Sequence, residues 1–134
     1  MIYNCINKEL MNKKTSIHDS EIVMFNYDYN NKTINLNLVS TCWGRKYNIK
    51  FINVLYFESQ NCNFWGEGYS IISGTINIKN ILIEKCITLL NENTKYYDNF
   101  SNNINDYIEY NITFNSGDEI NILCKEINFE EVTL

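Results

Sequence analysis

Between Ile17 and Val39 the chain reads Ile-His-Asp-Ser-Glu-Ile-Val-Met-Phe-Asn-Tyr-Asp-Tyr-Asn-Asn-Lys-Thr-Ile-Asn-Leu-Asn-Leu-Val, which fixes a hairpin and its register. Val, Ile, Phe, Tyr and Thr suit a pleated, half-buried surface. Asn30-Asn31 tolerates positive φ and can form a two-residue turn, less well than Asn-Gly does. With that loop, Tyr27 faces Ile34, Phe25 faces Leu36 and Val23 faces Leu38, so apolar meets apolar at every second position. A three-residue loop would set Phe25 against Asn37. Asn26, Asp28, Asn35 and Asn37 then share the opposite, wet face of an antiparallel sheet.

At 134 residues and 45% hydrophobic content the chain suffices for one domain, spanning 1–134, with a real core. A net charge of -5 argues against a surface for the phosphate backbone of nucleic acid or for anionic membrane. Cys5, Cys42, Cys62, Cys86 and Cys124 form no Cys-x-x-Cys pair, and His18 is the single histidine, so no metal site is expected. An odd cysteine count without a signal peptide or membrane-length apolar run fits a reducing cytoplasm, each thiol behaving as a small buried hydrophobe. The 24 asparagines and 20 isoleucines, with no proline, look like AT-rich coding bias, and asparagine is discounted as a functional signal.

Ahead of the hairpin, Ile2, Ile6 and Leu10 lie at helical spacing, while a short strand fits equally. After it, Thr41-Cys42-Trp43-Gly44-Arg45 is a turn. A third strand runs from Lys46 to Glu58, alternating at Tyr47, Ile49 and Phe51 and then apolar on both sides, which implies a doubly covered strand or a bulge and places Val54 to Phe57 in the core. Ser59 to Gly68 is irregular, and Tyr69 to Ile78 returns to strand. Ile81 to Leu90 is ambiguous: Leu82, Cys86 and Leu89 suit a helix, but Ile81 and Ile83 favour strand as far as about Glu84. Asn91 to Asp106 reads as a long loop or poorly formed helix. In a second hairpin, Tyr107 to Phe129, a Ser116-Gly117-Asp118 loop sets Phe114 against Ile120, Ile112 against Ile122 and Tyr110 against Cys124. A bulge is expected near Lys125-Glu126, and the tail Glu130 to Leu134 is expected to fray.

A His-Asp-Ser step into a hairpin, Phe51-x-Asn53-Val54, a Trp-Gly loop and the closing Ile112 to Cys124 hairpin together resemble a group of small bacterial β-domains. Some of those resemble immunity proteins encoded beside polymorphic toxins. The resemblance implies a stoichiometric binding protein and supplies no catalytic set.

His18, Asp19 and Ser20 form the one cluster with acid-base character. Consecutive residues on a strand point to opposite faces, which favours a structural motif: Asp19 and Ser20 bonding backbone amides, His18 packing at the sheet edge. Trp43, Phe64, Trp65 and Tyr69, with Arg45 and Glu67, form the candidate binding surface, since Trp, Tyr and Arg dominate interface hot spots. The competing expectation is that both tryptophans plug the sheet ends. Glu126, Glu130 and Glu131 could form an acidic face for a basic partner.

The expected fold is a mainly β, antiparallel sandwich or strongly curved sheet of about seven or eight strands with little helix. The expected function is a cofactor-free, non-catalytic module for a protein partner, such as a toxin. The alternative is a small-molecule-binding module with Trp43, Tyr47, Tyr56 and Trp65 lining an aromatic pocket. An enzyme using His18 ranks third, and an edge strand leaves homodimer pairing open.

Overall fold

Alternating apolar residues organise the chain into two antiparallel sheets, seen in a computed structural model that describes residues 1–60, 70–76, 81–92 and 106–134. Its elements in order are β1 (Ile2–Tyr3), α1 (Lys8–Lys14), β2 (Glu21–Asp28), β3 (Thr33–Ser40), β4 (Arg45–Ile52), β5 (Tyr56–Gln60), β6 (Ile71–Ile76), α2 (Ile81–Glu92), β7 (Ile108–Phe114), β8 (Glu119–Cys124) and β9 (Glu126–Thr133). One sheet has the order β1-β9-β4-β3-β2 and the other β5-β8-β7-β6. The chain is therefore mainly β, as expected, with nine strands among the described residues rather than seven or eight.

The core lies between the sheets. Ile34, Leu36 and Leu38 from β3, Tyr47, Ile49 and Phe51 from β4, and Ile127 and Phe129 from β9 face Ile108, Tyr110, Ile112 and Phe114 from β7 and Ile120, Ile122 and Cys124 from β8. This period-2 burial is what a sheet with one wet face requires. The first hairpin keeps Tyr27↔Ile34 and Phe25↔Leu36. Its loop is four residues rather than two, running from Tyr29 to Lys32. The Asp28 carboxylate accepts the Asn30 and Asn31 backbone N–H groups, and Lys32 takes the positive φ of 55°. An even loop preserves the register. The Val23 pairing is corrected: a bulge between Ile22 and Met24 puts Ile22 opposite Leu38 and leaves Val23 exposed.

The expected strand from Lys46 to Glu58 breaks at Asn53, whose φ is 54°, and continues as β5 in the other sheet. Its partner does the same at Lys125, where β8 gives way to β9. Through both changes the strands stay paired, β4 with β9 and β5 with β8, and the register slips by one residue at the bend. Leu55 N–H donates to Leu123 C=O at 2.8 Å and Lys125 N–H to Ile52 C=O at 3.1 Å, which stitches the bend. The bulge expected near Lys125 is this bend, where a two-stranded ribbon folds from one sheet into the other.

Three further expectations are corrected. The second hairpin has a three-residue loop, but Phe114 N–H donates to Asp118 C=O, so the loop is Asn115-Ser116-Gly117 and Ile112 faces Ile120, Tyr110 faces Ile122 and Ile108 faces Cys124. Gly117 has a φ of 88° at the last loop position, the left-handed site that such loops reserve for glycine. The tail does not fray: β9 pairs with β4 as far as Arg45↔Thr133. Ile81 to Glu84 is helical, because Leu82, Ile83 and Cys86 bury against Tyr107 and Leu123 on the outer face of the second sheet, overriding the β preference of Ile83.

The N-terminal stretch holds both of the expected alternatives, the short strand β1 and helix α1, and the helix is anchored by Met11, which is fully buried, while Ile6 lies outside it and is exposed. The helix also covers an edge. The Asn12 side chain accepts Ile76 N–H at 2.7 Å and donates to Ile76 C=O at 3.2 Å, standing in for a neighbouring strand beside β6. The loop expected between 91 and 106 overlaps the end of α2 as far as Glu92, and its stretch 93–105 lies outside the described residues.

Candidate functional site

The β3–β4 turn, Thr41 to Gly44, carries Trp43 at 61% exposure. Because β9 runs beside β4 to its end, Val132 lies opposite Lys46, and Leu134 N–H donates to Gly44 C=O at 2.8 Å. Val132 and Leu134 are 50% and 66% exposed, so the turn and the end of β9 present three large apolar side chains on one corner. Hydrogen-bonded backbone fixes the segments that carry them. Arg45 is committed below them: its Nη1 lies 2.6 Å from Glu131 Oε1, and it also bonds the Tyr47 hydroxyl. Burial, then the Glu131 charge, push the Tyr47 phenol above its usual value, with Arg45 opposing.

Trp43 is thus a surface residue, not a plug. Of the other expected binding residues, Arg45 serves as an ion-pair partner at the rim, while Phe64, Trp65, Glu67 and Tyr69 lie outside the described residues. Val132 and Leu134 were missed because the acidic tail masks a continuing strand; the Val-Thr pair in Glu130-Glu131-Val132-Thr133 was the available signal.

His18, Asp19 and Ser20 do not converge as a catalytic set. His18 Nε2 lies 3.4 Å from Asp19 Oδ2, both side chains being about half exposed, whereas Ser20 is fully buried and its Oγ has no hydrogen-bond partner among the described residues. The motif works through main chain: Asp19 N–H donates to Ile71 C=O, and Ile71 N–H to Ser20 C=O, both at 3.0 Å, and Asp19 takes a φ of 60°. The expected side-chain bonds from Asp19 and Ser20 to backbone amides are replaced by this two-way link to β6, with Ser40 Oγ donating to Asp19 C=O.

Of the expected aromatic cup, Tyr47 is in the core between the sheets and Tyr56 lies on the outer face of the second sheet, so these two do not share a pocket, and Trp65 lies outside the described residues. The Tyr56 hydroxyl donates to Glu58 at 3.1 Å. Glu58 also accepts from Lys85 Nζ at 2.8 Å and from Gln60 at 3.0 Å. Burial pushes the Glu58 carboxyl up, but bonds from Lys85, Tyr56 and Asn121 and the Lys85 charge outweigh it and leave the group below its usual value. Nearby, the buried Glu109 carboxylate accepts Leu82 N–H at 2.5 Å and Ile83 N–H at 3.1 Å, closing the first turn of α2. Cys86 lies on the buried face of that helix, its thiol pushed up to about 11 mainly by burial. Cys42 is exposed, contrary to the expectation that every thiol is buried. Among the described residues no group of three or more His, Cys, Asp or Glu side chains could hold a metal ion, and no helix is long and apolar enough to cross a membrane.

Fold and surface together define an antiparallel β-sandwich with a helix packed on one outer face and an apolar corner at one end. No family model matches the chain, and no curated protein matches it. Among solved structures it is similar to an uncharacterized protein from Neisseria gonorrhoeae, with 19% sequence identity and a TM-score of 0.52 over 87% of this chain and 95% of that one. The likeness is one of fold.

Proposed function

We propose that this chain is a non-catalytic protein-binding module, an immunity protein that neutralises a cognate bacterial toxin by occlusion. The observation that carries the binding role is the exposed Trp43, Val132 and Leu134 corner on hydrogen-bonded backbone. A tryptophan among apolar neighbours is the usual anchor of a protein interface, because its large ring brings much contact area for only two rotatable side-chain bonds. The toxin class rests on the sequence resemblance. On this proposal the protein acts in the cytoplasm without a cofactor, and Arg45 and Glu131 supply a charged rim.

Co-expression with a toxin encoded beside its gene tests the proposal: the complex should co-elute in size-exclusion chromatography, and Trp43→Ala should abolish it while circular dichroism stays unchanged. A complex that survives Trp43→Ala would remove the corner from the interface. Failure to bind any co-encoded toxin would remove the immunity role.

A further inference from the structure

The outer face of the five-stranded sheet holds a concavity of about 220 Å³ lined by Asn35, Asn37, Asn48, Lys50, Asn128 and Glu130, with Ile49 at its base. Register makes it a grid. Across β3, β4 and β9, one row is Asn35, Lys50 and Asn128 and the next is Asn37, Asn48 and Glu130. Strand spacing and rise give the grid about 10 Å by 7 Å.

Among the described residues several other asparagine side chains are tied into the fold, while those of Asn26, Asn30, Asn53 and Asn115 make no hydrogen bond. Asn4 and Asn7 build a turn, Asn12 covers β6, and Asn31 bonds Asp28. The cross-strand pair Asn111 and Asn121 closes on itself, Nδ2 to Oδ1, at 2.7 Å. Asn37 and Asn48 are also directly opposite one another, yet no such bond joins them. Among the described residues the Asn35, Asn37 and Asn48 amides make no hydrogen bond and Lys50 and Glu130 form no ion pair; Asn128 Oδ1 accepts a long, 3.5 Å bond from the Met1 ammonium.

Each free amide offers two donors and an acceptor side by side, the complement of a hydroxyl pair on adjacent carbons. Within the grid the Lys50 ammonium and the Glu130 carboxylate offset one another, with the Met1 ammonium bonded to Phe129 C=O and Asn128 at its edge, and the array of amides favours an uncharged ligand rich in hydroxyls. The volume falls below the roughly 300–1,000 Å³ of sites for drug-sized ligands and suits one small ring. We infer that this amide grid is a binding site for a pyranose sugar, separate from the Trp43 corner.

The test uses the full chain labelled with ¹⁵N and titrated with glucose, galactose, mannose and N-acetylglucosamine, each to about 50 mM. At least one sugar should shift the side-chain NH₂ signals of Asn35, Asn37 and Asn48 saturably, with a Kd in the millimolar range, while the Asn111 and Asn121 signals stay fixed. Asn37→Ala/Asn48→Ala should weaken binding at least tenfold, and Asn111→Ala should leave it unchanged. No saturable shift with any of the four, or a response that survives the double substitution, would overturn the site. A response to free glycine and to none of the sugars would overturn the ligand class. Because the wild-type amide signals report directly, the result stands even if the double variant fails to fold.

Discussion

Gly74 in β6 faces the core where an added methyl has nowhere to go. A Cβ there would meet Ile17 Cδ1, with Tyr110 Oη at 2.5 Å and Ile17 Cγ1 at 2.7 Å. Ordinary contacts are about 3.5–4.0 Å, so both neighbours must retreat by about 1 Å. Neither has room: Ile17 and Tyr110 are each 1% exposed, and the Tyr110 ring packs on Phe51 at 5.6 Å. Gly74→Ala is therefore expected at the upper end of overpacking costs, about 3 kcal/mol. That is a large share of a stability on the order of 10 kcal/mol and lowers Tm by roughly 6–12 °C. Tyr110→Phe should behave oppositely, because the buried hydroxyl has no hydrogen-bond partner among the described residues and its removal costs no bond there; about 0–1 kcal/mol of stabilisation is expected. Since that oxygen is also one of the atoms the new methyl meets, the double variant should recover about 1 kcal/mol relative to the sum of the singles. Urea unfolding followed by circular dichroism measures all three. A Gly74→Ala protein within about 0.5 kcal/mol of wild type, or strict additivity in the cycle, would refute this account of the packing.

Glu109→Ala should cost about 2–3 kcal/mol by leaving the first N–H groups of α2 without their acceptor, and thiol labelling read by peptide mass spectrometry should show Cys86 reacting faster while Cys124 stays protected. Because the folded Glu58 carboxyl lies below its unfolded value near 4.5, its stabilisation is present above that pH and is lost as pH falls through the folded value. Acid unfolding of Glu58→Gln should accordingly be less steep in that range, and an unchanged acid limb would contradict the assignment. Trp43→Ala should alter stability by no more than about 0.5 kcal/mol, since the ring is exposed; a larger loss in a thermal melt would place it in the core.

The sheets were legible where alternation and loop parity agree. Tyr27, Phe25, Ile34 and Leu36 can face inward together in only one register, and the structure keeps it. Val23 was not, because its neighbours are all apolar and nothing local marks the bulge. In the second hairpin loop length was legible but position was not, since the left-handed requirement at Gly117 decides between two registers that both pair apolar residues. Helix α2 was hidden because its stabilisers, Glu109 and Leu123, come from strands far along the chain. Of the site, Trp43 could be found from its turn. The amide grid could not, because asparagine abundance conceals which amides are tied to neighbours and which stand free.

The bent ribbon of β4–β5 and β8–β9 also sets how this molecule must fold. Its two halves are separated in sequence by the whole of β6, α2 and β7, so a long loop must close before β9 can join the first sheet or β5 the second, and loop closure of that kind slows folding relative to local pairing. The first sheet takes its central β4–β9 pairing from this ribbon and the second its edge pairing β5–β8, so the ribbon couples the two layers. The rate-limiting nucleus is therefore expected at Ile52, Leu55, Leu123 and Lys125, where one encounter commits the chain to both layers at once.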